Sequence, residues 1–278
     1  MFKTLIIDGP YLAHRSHGAP YLLTTKDGRN ATMIHSFMRT LNSLRKQLNP
    51  NHIILAWESP NTPSRRREQS PSYKPSTGIN PEYITQLKDL QKLLYLLNIP
   101  QYNSPRNEAD DVIASYIKTI QPTEQVVIFT VDKDIMQLIN ENCQVYDGKE
   151  FYDVNKVKQK FGVKPNQIPD LLAIAGDKAD NIQGLNGIGF KKASNIINEY
   201  GCIEELPIPV CNSNMVISAQ MINKISNNKK LTLLNHNCSL EKIPKEPVTE
   251  TIDDILNKYE LKSIKEKIEE YKLIGGAR

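Results

Sequence analysis

Three short apolar runs recur along the first half of the chain, and helical patterns stand between them. Residues Phe2-Lys3-Thr4-Leu5-Ile6-Ile7, His52-Ile53-Ile54-Leu55-Ala56-Trp57 and Gln125-Val126-Val127-Ile128-Phe129-Thr130-Val131 are largely apolar rather than alternating. That is the pattern of strands buried on both faces of a parallel sheet. Apolar residues at helical spacing fill roughly 31–48, 82–98 and 109–120. Strands and helices therefore alternate as in an α/β, doubly wound, mostly parallel central sheet flanked by helices. A helical stretch from about 166, a helix through 193–197 and helices with polar connections over 204–238 follow. Pro244 and Pro247 mark a loop, and 251–272 alternates acids and lysines on a solvated helical face. The expected division is a core over 1–175 and, over 176–278, a helical subdomain with C-terminal helices packing back on the core.

Each apolar run ends in an acid: Asp8, Glu58, and Asp132 with Asp134 two residues on. A fourth group, Glu108, Asp110 and Asp111, opens the helical pattern at 109–120. Two acids in a first turn complement the helix dipole, but three repel one another unless a cation sits among them. In doubly wound sheets ligands bind outside the carboxyl ends of the strands, so these acids are expected on one edge. Asp177 and Asp180 lie just after the helical stretch that begins near 166. Any one of these acids alone reads as a solvated cap; nine converging by topology read as a metal centre. Oxygen-only donors without histidine favour Mg²⁺, with Mn²⁺ as the alternative. Nine are too many for one ion, so two sites are expected, as in phosphodiester-cleaving enzymes.

With 278 residues and 39% hydrophobic composition the chain can bury one full core and a smaller appendage. Its formal net charge of +4 is unevenly spread. If nine acids share one pocket, the remaining surface is more basic than that figure and suits a polyanion. Cys143, Cys202, Cys211 and Cys238 show no metal-ligand spacing and read as reduced thiols, and His14 and His17 read as surface residues of an early loop. The opening apolar run is too short for a membrane span, so a soluble, cytoplasmic protein is expected.

Residues 59–81 interrupt the α/β rhythm with prolines at 60, 63, 71, 75 and 81, and with Arg65-Arg66-Arg67 and Tyr73-Lys74. A basic, aromatic-bearing loop beside a pocket acid suits a grip on a single nucleic-acid strand, a solvated linker being the plainer reading. Gly184-Leu185-Asn186-Gly187-Ile188-Gly189-Phe190-Lys191-Lys192-Ala193 follows no strand and lacks the dinucleotide fingerprint. A glycine turn, Gly187 and Gly189, leading into a helix with Lys191 and Lys192 suits backbone contacts to duplex DNA, with an ordinary helical hairpin as the alternative.

Together these residues resemble the 5′-nuclease family: the nuclease domain of bacterial DNA polymerase I, stand-alone phage 5′-exonucleases and, more distantly, flap endonucleases. Leu5-Ile6-Ile7-Asp8-Gly9 with Arg15, Glu108-Ala109-Asp110-Asp111, Thr130-Val131-Asp132-Lys133-Asp134 with Gln137-Leu138, and Gly176-Asp177-Lys178-Ala179-Asp180-Asn181-Ile182 with Gly184, Gly187-Ile188-Gly189 and Lys192-Ala193 carry it. The resemblance runs in register over about 3–205 and implies a PIN-like core, an arch near 59–81 and a helix–hairpin–helix subdomain. Without a polymerase segment, a stand-alone version acting as a monomer is expected. Two positions depart from the pattern. Trp57-Glu58 stands where the family has phenylalanine and aspartate, and Tyr73-Lys74-Pro75-Ser76-Thr77 lacks the arch arginine, for which Arg65, Arg66 or Arg67 is the substitute.

The resemblance implies a structure-specific 5′ nuclease, acting as 5′-3′ exonuclease and flap endonuclease on DNA with 5′ flaps or duplex ends, with RNA-primer hybrids as an open alternative substrate. Asp8, Glu58, Glu108 and Asp110 would surround one metal; Asp111, Asp132, Asp134, Asp177 and Asp180 would serve a second. Lys74 would contact the scissile phosphate, Tyr73 would stack on a base, and Arg15 would hold a nearby phosphate. The turn at 187–192 would grip duplex and bind K⁺ through backbone carbonyls. A PIN-like ribonuclease would normally lack the 184–193 element. A catalytically impaired DNA-binding paralogue would have lost carboxylates such as Asp132, Asp134, Asp177 and Asp180, all present here. A phosphatase built on Asp8 would need an acid two residues later, where Pro10 and then Tyr11 stand.

Overall fold

The computed structural model describes residues 3–59, 63–75, 78, 80–207, 210–212 and 215–272. Phe2 of the first expected strand and Thr77 of the arch pattern lie outside them. In chain order the elements are β1 (Thr4–Asp8), α1 (Gly9–His17), α2 (Thr32–Leu48), β2 (His52–Ala56), α3 (Arg65–Gln69), α4 (Pro81–Leu96), β3 (Gln101–Asn103), α5 (Ala109–Thr119) and β4 (Val126–Phe129). There follow β5 (Cys143–Tyr146), β6 (Phe151–Tyr152), α6 (Val154–Phe161), α7 (Ile168–Ala175), β7 (Gly176–Asp177), β8 (Ile182–Gln183), α8 (Phe190–Tyr200), β9 (Val210–Asn212) and β10 (Met215–Ile217). The last are α9 (Ala219–Thr232), β11 (Glu241–Lys242), α10 (Ile252–Lys258), α11 (Lys262–Lys265) and α12 (Ile268–Lys272).

These elements form two compact units. The first comprises Met1–Thr62, Thr77–Val131 and His236–Arg278, the second Pro63–Ser76 and Asp132–Asn235. The chain after 236 returns to the first unit, where β11 pairs with β3 and α10 packs on α4.

In the first unit β3, β2, β1 and β4 lie side by side in that order, all parallel, and β11 adds an antiparallel edge to β3. Every residue of β1 and β4 is buried, as strands covered on both faces require. Helix α2 sets Met33, Ile34, Phe37, Met38 and Leu41 in the core and packs against α1, α4 and α11. His14 and His17, expected in a loop, lie in α1: Asp8 caps it by accepting from the Tyr11 N–H at 3.0 Å, and Pro10 sits in its first turn. His14 stacks on Tyr83 of α4 and His17 meets the same ring edge-on.

In the second unit α7 packs against both α8 and α9. The short β7–β8 hairpin and the turn at 184–189 join α7 to α8, and β5 pairs antiparallel with β6. Among the described residues no helix is long and apolar enough to cross a membrane.

Candidate active site

The parallel register of the first unit places its acids. Asp8 ends β1 opposite Ala56, and Ile7 is opposite Phe129, so the residues that follow β2 and β4 leave the sheet at the edge where Asp8 stands. Thr130, fully buried just past β4, donates its hydroxyl to Asp8 Oδ2 at 2.7 Å. Gly9 is required here: a Cβ at that position would lie 2.5 Å from the Trp57 ring and 2.7 Å from the Ala56 carbonyl oxygen. Trp57 is itself buried, and its indole N–H donates to Gln101 Oε1 at 3.0 Å. Glu58 follows it, exposed. Burial first, and the Glu58 charge second, push the Tyr83 phenol well above its ordinary range, which puts Glu58 within electrostatic reach of α4.

At the N-terminus of α5, Glu108, Asp110 and Asp111 are all buried. Asp111 Oδ2 accepts from the Glu108 N–H at 3.2 Å, and Asp110 Oδ1 from the Asp111 N–H at 2.9 Å. Asp111 therefore supplies the N3 side chain of a capping box whose N-cap is Glu108. Arg15 is exposed on α1; it donates to the Tyr11 hydroxyl at 3.2 Å, and its guanidinium lies over the Phe129 ring.

The second unit holds its own acidic group. Asp134 is buried at the start of a 3₁₀ turn, and its N–H donates to Asp132 Oδ1 at 2.9 Å. Asp177 is buried, with the Lys133 ammonium 2.6 Å from Oδ2. Asp180 is buried as well; its Oδ2 accepts from the Tyr73 hydroxyl at 3.1 Å and lies 3.8 Å from Lys74 Nζ. Burial raises the Asp180 carboxyl from 3.8 to about 6; Lys74 and the Tyr73 hydrogen bond oppose that rise, and the charges of Asp132 and Asp177 add to it.

The arch segment within this unit, 63–75, is docked rather than splayed. Arg66 is only 1% exposed and donates to the carbonyls of Leu231 at 2.7 Å and Leu233 at 3.4 Å, at the C-terminal end of α9. A cation there also complements the helix dipole. Tyr73 is 1% exposed and packs with Ile182 and Leu231. Lys74 has a left-handed φ of 41°, held from both sides: its N–H donates to the Asp180 carbonyl at 3.1 Å and its own carbonyl accepts from Arg67 at 2.6 Å. The expectation that Arg66 grips phosphate and Tyr73 stacks on a base does not match their burial. Arg65 and Arg67 are exposed on α3.

In the turn before α8, Gly187 takes a φ of 75° and Gly189 is the residue before the helix. Lys191 is exposed, and Lys192 folds back to donate to the Gly187 carbonyl at 3.0 Å.

All-carboxylate donors have the right chemistry for Mg²⁺ or Mn²⁺. Among the described residues no three His, Cys, Asp or Glu side chains form a ready group for one ion. In the second unit, Lys133 and Lys74 supply to Asp177 and Asp180 the positive charge that a divalent ion would supply. Three groups carry weight that the sequence reading did not assign. Thr130 orients Asp8, and Lys133 neutralises Asp177. Gln137 donates to the Thr232 carbonyl at 3.0 Å and accepts from the Leu234 N–H at 3.1 Å, tying the 3₁₀ turn to α9. A hydroxyl or lysine interleaved with strand-end acids was the available signal for the first two.

Comparison with known proteins matches residues 3–162 to the family described as 5′-3′ exonuclease, N-terminal resolvase-like domain, and residues 163–254 to 5′-3′ exonuclease, C-terminal SAM fold. A 5′-3′ exonuclease of Aquifex aeolicus (strain VF5) is 37% identical over 209 residues, 73% of this chain and 72% of the relative. One from Mycoplasmopsis pulmonis (strain UAB CTIP) is 32% identical over 236 residues, 83% of this chain and 77% of the relative. A bacteriophage T5 flap endonuclease, solved in a pseudo-enzyme-product complex with DNA and metal ions, shares the fold at a TM-score of 0.66 and 22% identity, covering 97% of this chain and 99% of that one.

Proposed function

Because this chain belongs to the 5′-3′ exonuclease family and is thus a nuclease, we propose that it hydrolyses DNA phosphodiesters near a 5′ end with divalent metal ions. Its substrates on this reading are 5′ flaps, duplex ends and RNA-primer hybrids. The observation that carries the proposal is the burial of two carboxylate groups: Asp8, Glu108 and Asp110 with exposed Glu58 in the first unit, and Asp134, Asp177 and Asp180 with half-buried Asp132 in the second. Burying so many like charges is unfavourable without cations, and the phage T5 enzyme of the same fold was solved with metal ions and DNA.

Asp8, Glu58, Glu108 and Asp110 would hold one ion, and Asp132, Asp134, Asp177 and Asp180 a second. When bound, such ions acidify water for attack on phosphorus and offset charge on the transferring phosphate. The chain's own residues do the rest. Thr130 fixes the rotamer of Asp8. Lys133 and Lys74 keep Asp177 and Asp180 from repelling each other, and Lys74, close to this group, is the arch residue placed to meet a phosphate. Arg15, Arg65, Arg67 and Lys191 supply exposed positive charge for the DNA backbone.

The test is cleavage of a 5′-labelled flap, a blunt duplex and a single strand, each with Mg²⁺ and with EDTA. Metal-dependent cutting near the flap junction, abolished in Asp110→Ala and Asp132→Ala with duplex binding retained, is expected. Turnover in EDTA, or in either variant, would overturn the assignment. Binding without cutting in Mg²⁺ and Mn²⁺ would identify an inactive structure-specific binder instead.

A further inference from the structure

We propose that Lys224, with Lys192 and Asn228, holds the 184–189 turn in shape in the place of a monovalent cation. The inference rests on the reading that this turn grips duplex DNA. A monovalent ion held by backbone needs several carbonyl dipoles converging on it. Here four carbonyls in and beside the turn already have internal donors. Gln183 O accepts from Asn228 Nδ2 at 2.9 Å, Gly184 O from Lys224 Nζ at 2.9 Å, Leu185 O from the Ile188 N–H at 3.1 Å, and Gly187 O from Lys192 Nζ at 3.0 Å.

Two of those four donors are ammonium groups, each carrying the charge that a bound K⁺ would bring. A further cation at the same carbonyls would meet both of them at close range. The expectation of a K⁺ site therefore does not fit the residues present.

The arrangement has a source in the helix period. Lys224 and Asn228 are four residues apart on α9, so they project from one face of that helix. Asn228 spans two carbonyls, donating to Ala173 O as well as Gln183 O at 2.9 Å, and so ties the end of α7 to the start of the turn. Lys192 lies in the first turn of α8, where the helix dipole disfavours a cation unless an acceptor is at hand. The Gly187 carbonyl, presented by a residue at φ 75°, is that acceptor. Both lysines are exposed, so their charge also remains available to a phosphate.

The experiment needs no cleavage. Melting temperature of the free protein, and duplex affinity of the Asp110→Ala protein in EDTA, are measured in KCl, NaCl and tetramethylammonium chloride at one ionic strength. The wild-type turn is expected to give the same melting temperature and an affinity within about twofold in all three salts. Lys224→Met is expected to weaken duplex binding by about three- to fivefold in tetramethylammonium, with recovery in K⁺, and Lys224→Arg to behave as the unmodified turn. A wild-type turn that melts higher and binds several-fold tighter in K⁺ than in tetramethylammonium would overturn the proposal. So would a Lys224→Met protein unchanged in every salt. Loss of all duplex binding, with melting still independent of the cation, would count against the duplex-grip reading and leave the cation-replacement claim supported.

Discussion

Asp180→Asn is expected to make the metal-free protein more stable at neutral pH, although the carboxylate belongs to the proposed catalytic group. Asp180 is 9% exposed, with Asp132 and Asp177 as like-charged neighbours, and its carboxyl is raised from 3.8 to about 6. A raised acid binds its proton more tightly in the folded state than in the unfolded chain. Its contribution to stability is therefore fully present below about 3.8 and is lost as pH rises through about 6. The gap between the two values corresponds to roughly 3 kcal/mol at neutral pH, an upper bound for what removing the charge returns. Asparagine keeps a carbonyl oxygen for the Tyr73 hydroxyl, so that hydrogen bond need not be lost. Urea unfolding of both proteins in EDTA, from pH 4 to pH 8, reads the effect directly. The variant should be more stable by about 2–3 kcal/mol at the top of that range and converge on wild type at the bottom. Added Mg²⁺ should then stabilise wild type more than the variant. A variant no more stable than wild type at high pH, or a gap that does not change with pH, would refute the reasoning.

Lys74→Ala should slow single-turnover cleavage by about 10- to 100-fold while weakening binding far less; an unchanged single-turnover rate with weaker binding would remove Lys74 from the chemistry. Arg66→Met should lower stability by about 2–3 kcal/mol, because the Leu231 carbonyl loses a charged donor at 2.7 Å. Denaturant titration tests it, and wild-type stability in that variant would contradict the anchoring role. Gly184→Ala should cost about 3 kcal/mol or more, since its Cβ would lie 2.3 Å from the Ala175 carbonyl carbon and 2.5 Å from the Gly176 nitrogen. A melting temperature equal to wild type would show that the α7 end and the turn can separate.

The strands at 4–8, 52–56 and 126–129 were legible because burial on both faces leaves a continuous apolar run. β3 and β11, three and two residues long, carry no such signal and exist only because a neighbouring strand accepts them. Helix α1 was missed because Gly9-Pro10 reads as a break, although Asp8 as cap with proline in the first turn is also how a helix begins. Asp8 ends β1, and Glu58 and Asp132 follow shortly after β2 and β4, because topology alone sends such acids to the ends of the strands. Arg66 and Tyr73 were misread. An arginine fork in a proline-rich segment looks the same in sequence whether it meets a phosphate or two backbone carbonyls. The chain after 236 returns to the first unit, and the pairing of β11 with β3 within that return is what a two-residue strand leaves illegible.

That return has a consequence for how the protein is made. Glu241 and Lys242 pair with Asn103 and Tyr102, so the open edge of β3 is closed by a segment synthesised about 140 residues later. Until it emerges from the ribosome, a strand edge beside the acid-lined end of the sheet stays unpaired and open to other chains. The second unit, interrupting the first, has most of its length translated in that interval and can complete its own core first. A nascent nuclease of this design would thus assemble its second, helical unit before its sheet is sealed.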